Sequence, residues 1–322
     1  FNLAWFGFTA VEKDPNIAEL RKKGRFFTEE DKAYIIDAQR KITKEVIPLF
    51  KRLQDMGRVE ISLSPFYHPI LPLVYDTDLA RRARPHVHLP PRFNHPEDAR
   101  AQVEKALAYG EKNFGKKPRG MWPSEGSVSP EVVSIMSDAG VAWAATDEAI
   151  LFRSIQGRRE SLLYTPYSYS FQGKKITLLF RDRALSDALS YTYYKLSPED
   201  AVQDFSKRLE TIVNSCDTND PCVAVILDGE NPWEYYPSSG KNFLVSLYRY
   251  LSEGSVKVET PSGYLSTHQP AGALSHLATG SWIDASFDIW IGQEEDNKGW
   301  SFLKRTRDFL TSYLDSHPEV PQ

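Results

Sequence analysis

Short apolar runs alternate with helix-forming segments along most of the chain, and this alternation constrains the fold most strongly. Capping residues, helical apolar spacing and terminal glycines predict helices within residues 28–57, 95–115, 129–140 and 197–213. Apolar runs predict strands at 58–63, 119–123, 141–145, 176–180 and 223–227. Strands separated by helices of ten or more residues form parallel sheets. The sequence therefore predicts an α/β fold, and several βα units in line favour a barrel-like arrangement over two small domains.

Polar residues follow several of these strand-like runs. In barrel-like folds, catalytic groups lie on loops after the carboxyl ends of strands. The segments in that position are 64–69, 124–127, 181–187 and 228–237. Glu125 follows the run at 119–123, and Asp228 directly ends the apolar run at 223–227.

Two carboxylates on one rim, among aromatic side chains, suit glycoside hydrolysis, with one as nucleophile and the other as general acid and base. Each carboxylate also has a purely structural interpretation. Glu125 could be a charge that stabilises a helix N-terminus, and Asp228 could be a turn residue in its Asp-Gly pair. The two loops considered singly leave these alternatives open.

Composition excludes some partners and favours others. The net charge is −4 and no apolar run approaches the roughly 20 residues of a membrane span, so neither nucleic acid nor a membrane is an expected partner. The chain has 7 Trp, 16 Tyr and 17 Phe, several of them in polar, proline-containing stretches. Flat apolar rings in such places suit flat ligands, including sugars.

Four long motifs, in order along the chain, carry a resemblance to a known family. They are SPFYHPILPL (64–73), GMWPSEGSVS (120–129), ILDGENPWEYYP (226–237) and GSWIDASFDIWIGQEEDN (280–297). These stretches resemble the second to fifth sequence regions of glycoside hydrolase family 57, particularly its α-amylase and amylopullulanase members. The stretch FRDRALSD (180–187) is also similar to a family segment.

The resemblance implies roles for individual residues. The family's glutamate nucleophile corresponds to Glu125, and its aspartate acid/base corresponds to Asp228. The second-region histidine corresponds to His68, whose imidazole would hydrogen-bond a sugar hydroxyl near the cleavage point. The tryptophans that would stack on sugars or wall the subsites are Trp122, Trp233, Trp282 and Trp290. Two acidic residues are further candidates for binding sugar hydroxyls, Asp182 and Glu230.

The resemblance also implies an architecture, with one departure. The family's first region, on the first barrel strand, should precede this chain and is not found in it; the HQP at 268–270 does not fit that place. We therefore expect an incomplete (β/α)-barrel of the seven-stranded type, lacking its N-terminal strand. Residues 1–290 would form this catalytic barrel, and residues 291–322 would begin a C-terminal helical region.

The implied activity is hydrolysis of α-1,4-linked glucan with retention at the anomeric carbon, with α-1,6 activity left open. No cofactor is needed, the partner is the α-glucan substrate, and the expected location is cytoplasmic. A 4-α-glucanotransferase or branching enzyme would use the same carboxylate pair. A non-catalytic glucan-binding fragment is a third alternative, because the first region is absent.

Histidines and cysteines are the residue types that would serve metal or redox roles in this chain. His86, His88 and His95 lie in a proline-rich segment that we interpret as a surface loop, and no metal site is predicted. Cys216 and Cys222 have no nearby histidine at a zinc-type spacing. A small loop disulfide and two free thiols both remain open for them.

Overall fold

A five-stranded, mostly parallel sheet lies at the centre of the computed structural model, which describes residues 1–157, 159–216, 220–229, 232–254, 256–270 and 272–320. The strands are β1 (Gly120–Met121), β2 (Trp143–Asp147), β3 (Tyr167–Phe171), β4 (Lys174–Arg181) and β5 (Gly272–Leu274). Their order is β1-β2-β4-β3-β5. Neighbours pair in parallel except for the antiparallel hairpin of β3 and β4.

Helices surround this sheet. In the described residues they are α1 (Phe8–Lys13), α2 (Pro15–Lys23), α3 (Glu29–Asp55), α4 (Leu71–Tyr75), α5 (Ala80–Ala83), α6 (Pro96–Phe114), α7 (Pro130–Asp138), α8 (Glu148–Ser154), α9 (Arg183–Asp187), α10 (Pro198–Ser215), α11 (Lys241–Glu253), α12 (Pro261–Thr267) and α13 (Glu294–Ser316). The predicted α/β class is confirmed. The seven-stranded barrel and the domain boundary at residue 290 stay predictions.

The predicted helix ends match local capping chemistry. Thr28 and Asp31 form a capping box at the start of α3, each side chain accepting from the other residue's backbone N–H. Ser129 caps α7 and Ser197 caps α10 by accepting backbone N–H bonds. Gly115 ends α6 at φ 74°, the left-handed conformation that glycine adopts without strain.

Two predicted strands contribute only one bridge each to the sheet. The 58–63 run pairs through Leu63 with Met121, and the 223–227 run pairs through Ala224 with Arg181. Since β3 already occupies β4 from Lys174 to Leu178, only the carboxyl end of that edge is left for residue 224. The next bond of the ladder with residue 63 would run from residue 65 to the Trp122 carbonyl, and Pro65 lacks the N–H to make it, so the ladder stops there.

Apolar side chains cover both faces of the sheet. On one face, Val103, Met136 and Phe205 belong to the main core, in which helices α6, α7 and α10 pack on the strands. On the other face, Trp143, Ala145 and Leu179 form a smaller cluster. A separate cluster of α1, α2 and the start of α3 is built on Ile17 and other N-terminal residues. The sheet is therefore held rigidly where it carries the loops described next.

Among the described residues, no helix combines the length and the apolar character that spanning a membrane requires.

Candidate active site

Parallel pairing brings the carboxyl ends of five segments to one edge of the sheet. Residue 63 pairs in parallel with β1, β1 with β2, β2 with β4, and β4 with residue 224. The segments that follow carry His68, Glu125, Asp147, Asp182 and Asp228. Ligands of parallel α/β sheets bind at this edge, so we take it as the candidate active site.

Glu125 lies in a strained turn at this edge. It adopts φ 57° and ψ 27°, a left-handed conformation that costs a residue with a side chain roughly 1–2 kcal/mol. The turn is held by the backbone N–H of Trp282, which donates to the Glu125 carbonyl at 3.0 Å. The Thr146 hydroxyl donates to the carbonyl of Gly126 at 2.6 Å. Strain that the surroundings maintain in this way is characteristic of functional sites.

Both oxygens of the Glu125 carboxylate have a partner. The indole Nε1 of Trp282 donates to Oε2 at 2.7 Å, and Nε2 of His68 lies 3.2 Å from Oε1. His68 itself has φ 56°, so two neighbouring residues of the site share the unfavourable conformation. The carboxylate is thereby fixed in direction, with the Glu125 side chain 29% exposed beside a His68 side chain that is 53% exposed.

A buried charge network lies directly behind Trp282. The Arg181 guanidinium carbon lies 5.3 Å from the centre of the Trp282 ring, and its Nη1 is 3.3 Å from the Asp147 carboxylate. Asp147 also accepts from Arg183 at 2.9 Å. Arg183 in turn donates to the Trp282 carbonyl at 3.3 Å. Two arginines and one aspartate thus hold the tryptophan that contacts Glu125.

Asp228 is partly buried and follows a segment that is attached to β4. The backbone N–H of Asp182 donates to the Ala224 carbonyl at 2.9 Å, and Arg181 Nε donates to the Ile226 carbonyl at 2.7 Å. Its position as the partner of Glu125 stays a prediction. Glu230 lies outside the described residues.

The predicted tryptophans occupy different surroundings. Trp122 and Trp282 lie side by side, with ring centres 5.4 Å apart at 69°, next to Glu125. Trp233 packs on Tyr236 at 5.5 Å and borders the main core. Trp290 packs against the cluster of Phe287 and its neighbours. Trp122 and Trp282 therefore have the better placement for sugar contact, and the roles of all four stay predictions.

Asp182 is 3% exposed, and both of its carboxylate oxygens are engaged. Oδ1 accepts from the backbone N–H of Leu185 at 2.7 Å and caps α9, while Oδ2 accepts from the Tyr164 hydroxyl at 2.9 Å. Burial and the neighbouring Asp182 charge raise the pKa of Tyr164 well above its ordinary value. A sugar hydroxyl would have to compete with these bonds, and the role of Asp182 in binding sugar stays a prediction.

Sequence reasoning missed the acidic pair that ends β2. Asp147 is fully buried, and Glu148 accepts from the backbone N–H of Arg183 at 3.0 Å. Desolvation by burial raises the pKa of Glu148. The signal was available, because Asp147 and Glu148 come one residue, Thr146, after the apolar run 141–145 that was predicted to be a strand.

A cavity of about 650 Å³ lies on the same side of the sheet as the Trp143 cluster. Ser62 lines it on one side, the segment 220–226 lines it on the other, and Trp122 forms part of its wall. Glu125 and Asp228 do not line it. The cavity therefore adjoins the candidate active site without containing its carboxylates.

Metal binding and thiol reactivity concern His95, Glu97, Asp98 and the two cysteines. Within the described part of the chain, one group of possible metal ligands comes together, His95 with Glu97 and Asp98. Arg307 donates to both carboxylates, so its guanidinium already supplies the positive charge. Cys216 and Cys222 are free thiols, and burial raises the pKa of Cys222 to about 11, which keeps it protonated near neutral pH.

Comparison with known proteins decides the family. The sequence model of the family described as glycosyl hydrolase family 57 matches residues 1–276. The chain belongs to glycosyl hydrolase family 57. An α-amylase from Pyrococcus horikoshii is 25% identical over 248 residues, covering 75% of this chain and 34% of that protein. A 4-alpha-glucanotransferase from Thermococcus kodakarensis is 25% identical over 248 residues, covering 75% of this chain and 33% of that protein.

A solved family 57 structure has the same fold. The branching enzyme from Thermococcus kodakaraensis superposes with a TM-score of 0.67 at 17% identity, covering 93% of this chain and 64% of that chain. At this identity the likeness concerns the fold alone. The family 57 chain described here spans about a third of the length of the two curated relatives.

Proposed function

We propose that this family 57 chain carries the catalytic centre of a retaining enzyme that cleaves α-1,4-glucan, with Glu125 as nucleophile and Asp228 as general acid and base. The observation that carries the proposal is the carboxylate of Glu125. It is held by Trp282 and His68 in a strained turn at the carboxyl edge of the sheet. A residue that only stabilised a helix N-terminus would need neither the strain nor these partners.

The proposed reaction has two steps. In the first, a Glu125 oxygen attacks C1 of the glucosyl unit, the C1–O4 bond breaks, and Asp228 in its acid form gives its proton to the departing O4. In the second, Asp228 as carboxylate takes a proton from water, and the water oxygen attacks C1 and releases Glu125. Two inversions at C1 give net retention.

The neighbouring residues support this chemistry physically. Trp282 holds one oxygen of Glu125, which leaves the other directed for attack. His68 adjoins that second oxygen and is half exposed, so it is placed to bond a hydroxyl of the sugar at the cleavage point. The faces of Trp122 and Trp282 offer apolar contact to the adjoining sugar rings.

Transfer to a second glucan chain is the other candidate reaction. It uses the same first step, and a sugar hydroxyl then replaces water in the second. One observation favours transfer as a candidate: an α-amylase and a 4-alpha-glucanotransferase have the same identity to this chain, 25% over 248 residues. Hydrolysis releases new reducing ends, whereas transfer changes chain length at a constant number of reducing ends. Measuring both quantities therefore distinguishes the two reactions. Binding of glucan with neither change indicates a non-catalytic protein.

Substitution of the two carboxylates tests their roles. Glu125→Gln should lower turnover of every substrate by about 10³-fold or more and form no covalent intermediate, because the nucleophile is gone. Asp228→Asn should retain turnover of aryl or fluoride glucosides, whose leaving groups depart without a proton, and should accumulate the glycosyl-enzyme. Mass spectrometry of the quenched protein detects that adduct.

Glu131→Gln is the matched control. Glu131 lies in the first turn of α7, just after the Glu125 turn, and its carboxylate pairs with Arg82 at 2.7 Å rather than with Trp282 or His68. It should keep wild-type turnover. If Glu125→Gln stays active, or Asp228→Asn loses activated and natural substrates equally, the assigned roles are wrong.

A further inference from the structure

Arg181, the last residue of β4, makes an unusual set of contacts for a buried side chain. It is 5% exposed, and its guanidinium donates in three directions. Nη1 bonds Asp147, Nη2 bonds Asp187, and Nε bonds the backbone carbonyl of Ile226 at 2.7 Å. Its guanidinium carbon lies over the ring of Trp282, 5.3 Å from the ring centre.

Stability alone does not account for this arrangement. Removing a guanidinium and a fully buried carboxylate from water costs free energy that their attraction often fails to recover, and apolar pairs of similar volume do as well or better. What arginine supplies is a planar fork of fixed geometry that bonds several acceptors at once and also stacks on an aromatic face. The contacts of Arg181 use this fork on three acceptors and place the cation over the Trp282 ring.

One side of Arg181 leads to Glu125. The Trp282 ring lies between the Arg181 guanidinium and the Glu125 carboxylate, with its face towards the cation and its Nε1–H on Oε2. A cation over an indole face is attracted by the ring and fixes its plane. Because the N–H lies in that plane, Arg181 determines the direction of the hydrogen bond that Glu125 accepts.

The other side of Arg181 leads to Asp228. Ile226 precedes Asp228 by two residues, in a segment whose described residues bridge to the sheet at residue 224. Besides this bridge and the bond from the Cys222 N–H to the Tyr164 carbonyl, the segment is held by contacts from β4 and α9. These are the Arg181 bond to the Ile226 carbonyl and the Ser186 hydroxyl, which accepts from the Ile226 N–H at 3.0 Å.

We propose that Arg181 is a positioning residue that sets the placement of both candidate catalytic carboxylates, Glu125 through Trp282 and Asp228 through Ile226. Asp147 holds the guanidinium in the orientation that serves both. The proposal rests on the function proposed above. It explains why a charged network is buried behind a site whose chemistry it does not touch.

Arg181→Lys tests this proposal, since lysine keeps the charge but loses the fork and the flat face. We expect kcat to fall about 10- to 100-fold, as for a misplaced reacting group, with KM changed less than about threefold. Arg307→Lys is the matched control, because Arg307 also bonds two carboxylates, Glu97 and Asp98, and these bonds involve none of Glu125, Trp282 and Ile226. It should leave kcat unchanged at a comparable loss of melting temperature.

Two further measurements separate positioning from folding and from function. The double variant, with Trp282→Phe and Arg181→Lys, should lose less transition-state stabilisation than the two single variants lose together, because both changes act through one bond. In protein labelled with ¹⁵N-tryptophan, Arg181→Lys should shift the Trp282 indole resonance, which Trp282→Phe identifies, and Arg307→Lys should not.

The outcomes are distinct. If wild-type protein does not turn over α-glucan, the proposed function fails, and the indole resonance still tests the positioning role. If Arg181→Lys folds and keeps kcat within about threefold of wild type, the positioning role is wrong. An unshifted indole resonance, or additive losses in the double variant, also overturns it.

Discussion

At the scale of single residues, the environment of Glu125 is the feature that most supports the catalytic role proposed for this carboxylate. Its backbone is strained, both carboxylate oxygens have partners, and the partners come from segments far apart in the chain. The bond from Trp282 is short and charge-assisted, the class of hydrogen bond with the largest free energy. The identity of that one donor should therefore matter for turnover.

Trp282→Phe keeps an aromatic ring and removes the N–H donor. A hydrogen bond to a charged group contributes about 1.5–3 kcal/mol, so we expect kcat/KM to fall about 10- to 100-fold. Trp300→Phe is the control, because the Trp300 N–H also donates to a partly buried oxygen, the Trp290 carbonyl at 2.8 Å. Steady-state kinetics should show the loss only for Trp282, and equal losses for the two variants would assign it to folding.

At the scale of elements, the segment 220–229 presents Asp228 without forming a regular strand. Side chains replace the missing ladder, and Ser186 is one of them. Its hydroxyl is fully buried, accepts from the Ile226 N–H, and donates to the Asp182 carbonyl at 2.6 Å. The segment 220–229 is thus held by α9, the helix that follows β4.

Ser186→Ala should leave the Ile226 N–H without a partner and lower the free energy of unfolding by about 1–3 kcal/mol. Ser154 makes the same pair of bonds elsewhere: it accepts from the Ala278 N–H at 2.9 Å and donates to the Ile150 carbonyl at 2.6 Å. Ser154→Ala should lose similar stability. Only Ser186→Ala should also lower kcat and speed hydrogen exchange of residues 224–227; equal kcat for both variants would argue against this role.

Local signals made helices α3, α6, α7 and α10 and strands β1, β2 and β4 predictable. Thr28, Ser129, Ser197 and Gly115 mark helix ends through bonds to neighbouring residues, which the sequence shows directly. The run at 223–227 was predicted to be a strand because apolar composition reports burial. Pairing depends on which edge is free, and β3 takes most of it.

The candidate site was predictable in part for the same reason. Glu125 and His68 were both found from the motifs in which they lie, and the structure brings their side chains together. The bond between Trp282 and Glu125 joins residues 157 positions apart, and nothing local reports that distance. Asp147 and Arg181 form a pair that becomes visible only once β2 and β4 are neighbours.

At the scale of the whole molecule, ion pairs connect distant parts of the chain, and their effect depends on pH. Asp76 is one of the most buried of these carboxylates. Burial alone raises its pKa, but hydrogen bonds from Arg92 and from the Asp78 backbone outweigh this, and the pKa of Asp76 is lowered overall. Its contribution to stability is therefore complete above the ordinary aspartate pKa and is lost as the pH falls through the lowered value.

Arg92→Gln removes the main partner of Asp76. We expect it to lower the free energy of unfolding by about 1 kcal/mol near neutral pH, and the difference from wild type should shrink below about pH 4. Denaturant unfolding across pH measures both. Arg84→Gln, which breaks a half-exposed pair with Asp288, should show little difference at any pH. A wild-type advantage that grows in acid would contradict the direction assigned to Asp76.

The anomeric configuration of the first product tests the central claim most directly. If Glu125 attacks C1 and Asp228 then delivers water from the same face, cleavage of an α-glucan releases an α-anomer, which ¹H NMR detects before mutarotation. We predict that the α-anomer appears first and the β-anomer only later, at the mutarotation rate. A β-anomer as the first product would contradict the account, because it requires a single displacement by water and no glycosyl-enzyme on Glu125.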